Sequence, residues 1–305
     1  CMIYQKTIKA PISVIGVGLH SGCRVSLTLL PAKVDQGISF VRTDLPEHPR
    51  IKCHPFLIND TRLSSTLVDE NQVRVGTIEH LMSAFACFGI DNIVVELSAQ
   101  ETPIMDGSSN SFLYLLEQAE IVEQSAKKKY IQIKQEIEVR DDKDNKWVKF
   151  TPFEGYKVKI ITDFGGHPVF KKEYSTFEAD FAKHSYIEEI SRARTFGFMY
   201  EVEYMRKNGL ALGGNLNNAI VLDEESVLNE GGLRFPDEFV RHKILDAIGD
   251  LYIIGHQIIG AFEGYRSGHA INNQLLRKLL NHPESWEFVT FNDSEDVPSS
   301  FHYIK

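Results

Sequence analysis

The spacing of apolar residues predicts strands in the first part of the chain and one helix among them. The predicted strands are residues 12–17, 24–30, 37–42 and 92–97. Over residues 77–88 the spacing changes to that of a helix, and Gly89 is expected to end it. The apolar positions on one side of this helix are Ile78, Leu81, Met82 and Phe85. A loop over residues 101–109 then leads into a second helix over residues 111–119.

A similar series of elements follows a polar, basic stretch at residues 124–129, which we interpret as a linker. The strands predicted after it are residues 131–139, 147–151 and 156–162. Pro236 is expected to open a long helix over residues 237–254. The remaining predicted elements are a strand over residues 257–262 and a helix over residues 270–280.

Both halves of the chain therefore end in the same order: helix, strand, loop, helix. His80 and Gly107 lie 27 positions apart, and His242 and Gly268 lie 26 positions apart. We interpret this as a duplicated α+β domain with one sheet and two helices in each half. The predicted domains are residues 2–126 and 130–305, and the second carries an inserted subdomain at about residues 197–227. The composition of that segment, taken alone, favours an ordinary surface excursion.

Composition and charge exclude several classes of protein. The chain has 305 residues, of which 43% are hydrophobic and 25% charged, as in a folded globular protein. Its net charge of −9 argues against nucleic acid or anionic lipid as a partner. The four cysteines form no Cys-x-x-Cys pair, which is typical of a reducing compartment. Residues 2–10 lack the apolar core of a signal peptide, and residues 251–262 are too few to span a bilayer, so we expect a cytoplasmic protein.

The helix over residues 237–254 carries the sharpest chemical signal. His242, Asp246 and Asp250 recur every four residues and therefore lie on one stripe of the helix. A histidine and a carboxylate one turn apart can bind the same metal ion, and zinc accepts both ligand types. The alternative is a solvated helix face with a His–Asp contact. The pattern alone leaves both interpretations open.

Three other segments have weaker signals. Glu79 and His80 are adjacent at a helix start, where a glutamate is also common for electrostatic reasons alone. His269 follows Gly268 in a loop, where it is either an exposed acid or a turn residue. The glycines of residues 16–22 do not have dinucleotide-binding spacing, and a strand follows them, so we predict a hairpin turn there.

Taken together, these segments resemble the UDP-3-O-acyl-N-acetylglucosamine deacetylase family, the zinc amidases of bacterial lipid A synthesis. Six sequence words carry the resemblance, in order along nearly the whole chain. They are Gly16-Val-Gly-Leu-His-Ser-Gly22, Thr77-Ile-Glu-His-Leu-Met-Ser-Ala84, Pro103-Ile-Met-Asp-Gly-Ser108, Ser191-Arg-Ala-Arg-Thr-Phe-Gly197, Arg241-His-Lys-Ile-Leu-Asp-Ala-Ile-Gly-Asp250 and Ser267-Gly-His-Ala270.

The resemblance implies a metal site and a set of catalytic residues. It implies zinc bound by His80, His242 and Asp246 at the interface of the two domains, with helices packed between the two sheets, and two histidines and an aspartate also suit iron. The catalytic residues that it implies are Glu79 as general base, His269 as second catalytic residue, Asp250 as the residue that orients it, and Thr195 beside the carbonyl oxygen.

The resemblance also implies how a nucleotide-sugar substrate binds. Lys243 is expected to meet the diphosphate, and the inserted subdomain is expected to form an apolar passage for the acyl chain. The other implied substrate-binding residues are Phe196, Phe164 as a stacking partner of uracil, and Lys146 as a second diphosphate contact. We expect a monomer with no nucleic-acid partner and no membrane segment.

Two other functions compete with this one. The first is a zinc amidohydrolase that acts on a different nucleotide sugar or acylated amine. The second is a nucleotide-sugar binding module with a structural metal. It is disfavoured because three protein ligands beside a free carboxylate describe an open site, whereas structural zinc sites are closed by four protein ligands.

Overall fold

The computed structural model describes residues 2–302, and its fold is α+β, which confirms the fold class predicted from the sequence. The elements of the first half are β1 Tyr4–Ile8, β2 Ile12–Val17, β3 Arg24–Pro31, β4 Ile38–Arg42, β5 Arg50–Lys52, β6 Ile58–Asp60, β7 Thr66–Val68, β8 Arg74–Val75, α1 Glu79–Phe88, β9 Ile93–Leu97, α2 Asn110–Ala119 and β10 Ile121–Lys127. The predicted helices of this half thus form within two residues of their expected ends.

The second half contains the two longest helices and the segment predicted as an insertion. Its elements are β11 Tyr130–Ile133, β12 Ile137–Asp141, β13 Lys146–Thr151, β14 Tyr156–Ile161, β15 Thr176–Asp180, α3 Tyr186–Glu189, β16 Phe196–Phe198, α4 Met199–Lys207, β17 Ile220–Leu222, α5 Glu238–Tyr252, β18 Ile258–Tyr265, α6 His269–Leu280 and β19 Trp286–Val289.

The two large sheets have the same strand order. The first sheet runs β2-β3-β9-β4-β5, with β9 parallel to β4 and the other pairs antiparallel. The second runs β12-β13-β18-β14-β15, with β18 parallel to β14 and the other pairs antiparallel. Strands β11 and β19 extend the second sheet beside the start of β18. This shared order supports an internal duplication, whereas the domain boundaries themselves stay a prediction.

The stretch over residues 124–129 is not a free linker, so that prediction was wrong. Strand β10 occupies most of it and pairs antiparallel with β1. The side chain of Lys128 is fully buried, and its Nζ lies 2.7 Å from both the Gly89 carbonyl oxygen and the Asp91 carboxylate. The polar sequence resembles a linker for two reasons. A two-stranded ribbon exposes alternate side chains to solvent, and the ion pair with Asp91 allows Lys128 to be buried.

Two other features of the strands differ from the prediction. The strand expected over residues 131–139 is broken, since β11 ends at Ile133 and β12 begins at Ile137. A separate small sheet, β6-β7-β8, lies between β5 and α1 and was not predicted, because its strands are only two or three residues long. The segment over residues 16–22 does close the β2–β3 hairpin, as predicted.

Helices α1 and α5 pack directly against each other in the middle of the molecule. On either side, α2 contacts β2 of the first sheet, and α5 and α6 contact the second sheet. The backbones of these two helices come into contact at Gly249, where a Cβ would lie only 1.9 Å from the carbonyl oxygen of Glu79. Only glycine permits this separation. A hydrogen bond also joins the two helices here, since the Ser83 hydroxyl of α1 donates to the Leu245 carbonyl oxygen of α5 at 2.8 Å.

The segment predicted as an insertion lies against the first half of the chain. Its strands β16 and β17 form a parallel pair, and α4 lies between them in sequence. Gly213 contacts the β2–β3 hairpin so closely that a Cβ there would lie 2.1 Å from the Gly18 carbonyl oxygen. Among residues 2–302, no helix combines the length and the apolar character that crossing a membrane requires.

The close approach at Gly249 leads to a stability prediction. We expect Gly249→Ala to lower the free energy of unfolding by about 2 kcal/mol or more, because the added methyl group meets backbone that cannot rotate away. Gly166→Ala is the control, since nothing lies within 4 Å of a Cβ there. Urea denaturation followed by circular dichroism measures both. Equal stabilities for the two variants would show that the helices can separate without loss.

Candidate metal centre and active site

Three potential metal ligands from the two halves of the chain meet at the α1–α5 contact. His80 is the second residue of α1, and His242 and Asp246 lie one turn apart on α5. Their ligand atoms lie within 4.8 Å of one another. The Asp246 Oδ1 atom is 3.1 Å from His80 Nε2 and 3.2 Å from His242 Nε2, and the two imidazole rings are 4.9 Å apart. Two imidazole nitrogens and one carboxylate oxygen therefore converge on a single point.

The bonding of these side chains fits a divalent metal ion. His242 Nδ1 is 2.9 Å from the Ala193 carbonyl oxygen, and donation of its proton there leaves an Nε2 lone pair facing the cluster. His242 Nε2 and Asp246 Oδ1 are buried without a hydrogen-bond partner. Burial acts to raise the pKa of Asp246, but the two imidazoles outweigh it and hold that pKa well below its usual range. A cation would satisfy both orphaned atoms, and three protein ligands leave one position of a tetrahedral site open.

Glu79, the first residue of α1, is buried beside this cluster. Its Oε1 atom accepts a hydrogen bond of 2.8 Å from the backbone N–H of Ser65. Burial raises the pKa of Glu79 to about 7, although the positive charges of His269 and His80 act in the opposite direction. A carboxyl group with a pKa near neutrality can both accept and release a proton at physiological pH.

His269 and Asp250 form a second ionisable pair next to Glu79. His269 begins α6, and its Nδ1 atom lies 2.8 Å from Asp250 Oδ2. Asp250 also accepts hydrogen bonds from the Ser65 hydroxyl at 2.6 Å and from Asn272 Nδ2 at 3.0 Å. Burial lowers the pKa of His269, but the charges of Asp250 and Glu79 outweigh it and raise that pKa to about 10. The imidazole is therefore cationic at neutral pH.

Thr195 is held in place by a loop of the first half of the chain. Its backbone N–H donates to the Gly107 carbonyl oxygen at 2.8 Å. Gly107 has a positive φ of 89°, and a Cβ there would lie 2.1 Å from the Asn218 carbonyl oxygen. The next residue, Phe196, places its ring 6.4 Å from that of His242. The loop around Gly107 therefore fixes the backbone of Thr195, and the ring of the adjacent Phe196 borders the metal-ligand cluster.

Comparison with known proteins agrees with this geometry. The profile of the UDP-3-O-acyl N-acetylglycosamine deacetylase family matches residues 5–281. The chain is similar to the UDP-3-O-acyl-N-acetylglucosamine deacetylase of Chromobacterium violaceum, with 63% identity over 99% of both chains. It is 60% identical to the protein of the same name from Neisseria meningitidis serogroup A, over 98% of this chain and 97% of that protein. The Pasteurella multocida protein of that name is 51% identical, with the same coverage.

The chain belongs to the UDP-3-O-acyl-N-acetylglycosamine deacetylase family. The family predicted from six sequence words is thereby confirmed. The match extends over both halves of the chain, so the elements that carry the metal-ligand cluster, α1 and α5, both lie within it. Membership in this deacetylase family and the His/Asp cluster together support a metal-dependent hydrolase.

The residues that the family resemblance assigned to substrate binding lie in different parts of the structure. The Lys243 Nζ atom lies 3.4 Å from the Ser267 carbonyl oxygen, two residues before His269. The Phe164 ring lies 5.5 Å from that of Phe196, in an aromatic group next to α5. Lys146 lies at the start of β13, where its Nζ is 3.9 Å from the Asp144 carboxylate. The contacts described for Lys146 do not include the metal-ligand cluster.

The sequence analysis missed four residues that support the site. Ser65 bonds to both Glu79 and Asp250, Asn272 bonds to Asp250, the Ala193 carbonyl orients His242, and Gly249 permits the helix contact. Only Gly249 had a signal in the sequence, since a glycine inside a strong helical pattern often marks close packing. The other three act through backbone groups or partners distant in sequence.

Metal content tests the ligand set. We expect His242→Ala to lower the amount of metal bound after dialysis by about tenfold or more, because the variant keeps only two of the three protein ligands. His48→Asn is a control, because His48 is exposed and its positive φ of 46° is tolerated by asparagine. Elemental analysis of both variants measures the metal bound per protein chain. An undiminished metal content in the His242 variant would refute its role as a ligand.

Proposed function

We propose that this protein hydrolyses the acetamide of UDP-3-O-acyl-N-acetylglucosamine, releasing acetate and leaving a free glucosamine amine, as a step of lipid A synthesis. The observation that carries the proposal is the convergence of His80, His242 and Asp246 beside Glu79 and the His269–Asp250 pair. The substrate is inferred from the names of its relatives, because those proteins share more than half of their residues with this chain over nearly its full length.

We propose zinc as the ion that His80, His242 and Asp246 hold, with iron as the alternative that the same ligands accept. When bound, such an ion supplies a Lewis acid that polarises the amide carbonyl and lowers the pKa of water to near ~7. The ligand set favours this chemistry because it has three protein ligands, and because the Glu79 carboxylate beside it is held by the Ser65 N–H.

The chain's own residues then divide the proton transfers and charge stabilisation. Glu79 takes the proton of the attacking water, since its raised pKa of about 7 suits a general base. His269, held by Asp250, stabilises negative charge or protonates the leaving amine. The Thr195 side chain donates a hydrogen bond to the developing oxyanion.

Substrate binding extends from this centre in two directions. Lys243 adjoins the ligand His242 and is proposed to meet the diphosphate, with Lys146 as a weaker second contact. Phe164 and Phe196 offer aromatic surface for the uracil side. The inserted subdomain is proposed to form the passage for the acyl chain. A monomer in the cytoplasm remains what we expect from the sequence.

The test is an acetate-release assay with the acylated substrate. We expect turnover with UDP-3-O-acyl-N-acetylglucosamine, loss of turnover after a chelator has removed the metal, and recovery on addition of zinc. UDP-N-acetylglucosamine without the acyl chain serves as the matched substrate control and should react poorly. Equal rates on both substrates would favour a less specific amidohydrolase, and turnover unaffected by metal removal would contradict the metal mechanism.

A second prediction concerns the general base. We expect Glu79→Gln to retain bound metal but to lower kcat by about 100-fold or more, because the amide cannot accept the proton. Glutamine preserves the size of the side chain and can still accept the Ser65 N–H bond. Acetate release and elemental analysis on the same sample separate the two effects. A kcat close to that of the unaltered enzyme would make Glu79 a structural residue at the helix start.

A further inference from the structure

Ser65 is placed so that its polar groups serve both sides of the active site. It lies in the loop between β6 and β7 and is almost fully buried. Its backbone N–H donates to Glu79 Oε1 at 2.8 Å, and its hydroxyl donates to Asp250 Oδ1 at 2.6 Å. Its carbonyl oxygen accepts from the N–H of Ile78, the residue that precedes α1. One residue thereby contacts two of the carboxylates to which the proposed function assigns roles.

We propose that Ser65 is a positioning residue, which fixes Glu79 through its N–H and Asp250 through its hydroxyl in one geometry. The inference rests on the proposed function, since it takes Glu79 as the base and the His269–Asp250 pair as its partner. Ser65 itself is not proposed to touch the substrate.

The hydroxyl has a defined task because the Asp250 carboxylate has a different partner on each oxygen. Oδ1 accepts the Ser65 hydroxyl, and Oδ2 accepts His269 Nδ1 and Asn272 Nδ2. A carboxylate bonded on one oxygen alone can rotate about its Cβ–Cγ bond, and the imidazole would follow it. The Ser65 bond at the opposite oxygen opposes that rotation. Hydrogen bonds to a charged acceptor are among the stronger ones in proteins.

The bond also joins the two halves of the chain at the site. Ser65 belongs to the first half, whereas Asp250 lies on α5 of the second. Since Ser65 also holds Glu79 at the start of α1, its hydroxyl bond fixes Asp250 of the second half relative to Glu79 of the first. Loss of the hydroxyl should therefore lower kcat, which depends on the alignment of His269, and leave KM largely unchanged.

Three variants test this role in the metal-loaded protein. We expect Ser65→Ala to lower kcat by about 10-fold or more, with KM changed by less than about threefold. Ser65→Thr retains the hydroxyl and should recover most of the lost kcat. Ser64→Ala is the matched control, because the neighbouring hydroxyl contacts Thr66 and Thr77 instead of the catalytic carboxylates.

A spectroscopic measurement tests the placement independently of turnover. In protein labelled with ¹⁵N-histidine, the His269 Nδ1–H resonance, assigned by its loss in His269→Gln, reports the bond to Asp250. We expect Ser65→Ala to shift or broaden it and Ser65→Thr and Ser64→Ala to preserve it. If the unaltered protein releases no acetate, the proposed function fails, whereas this resonance still decides whether Ser65 holds the pair.

Two outcomes would overturn the proposal. One is an unshifted His269 resonance in Ser65→Ala, and the other is a kcat for that variant equal to that of Ser64→Ala. If Ser65→Ala does not fold, Ser65→Cys takes its place, because the thiol has similar size and is a much weaker donor. A cysteine variant as active as the threonine variant would then show that size, and not the hydroxyl bond, is what the site requires.

Discussion

The contact between α1 and α5 is the constraint on which the rest of the structure depends. A Cβ at Gly249 would lie 1.9 Å from the Glu79 carbonyl oxygen, so the two helices meet backbone to backbone. At this distance the short side chain of Asp246 lies within 3.2 Å of imidazole nitrogens from both helices. A separation larger by the width of one side chain would leave His80 on one side of a gap and His242 and Asp246 on the other. The metal-ligand set therefore exists only because the helices pack this closely.

Three carboxylates lie around this contact, of which Glu79 and Asp250 are buried and Asp246 is half-buried, and their surroundings differ. Asp246 faces two imidazoles, which hold its pKa low and suit it to bind a cation. Asp250 accepts hydrogen bonds from Ser65, Asn272 and His269, which fix its orientation toward the imidazole. Burial is the largest influence on Glu79 and raises its pKa to about 7. In the proposed function the same functional group thus serves as ligand, orienting group and base, because the partners and the burial of each carboxylate differ.

The sequence predicted the elements that carry the site better than the elements around it. α1, α5 and α6 are strongly periodic and form within two residues of their expected ends. The small sheet β6-β7-β8 was missed because its strands are too short for a period to be visible. The supposed linker is mostly β10, whose polar residues lie on a two-stranded ribbon. Ser65 was missed for a related reason, since it lies in the loop of that small sheet and acts on partners 14 and 185 residues away.

The amino-acid sequence alone determined the α+β class, the order of the main helices and longer strands, the pattern that indicates an internal duplication and, through six words spread along the chain, the family. These properties depend on local periodicity and on the identity of residues, both of which are written along the chain. Only the tertiary structure decided which side chains meet. His80 and His242 are far apart in sequence, and neither helix shows a metal site alone. Their imidazoles lie 4.9 Å apart because apolar burial brings α1 onto α5, and a glycine lets the two backbones touch.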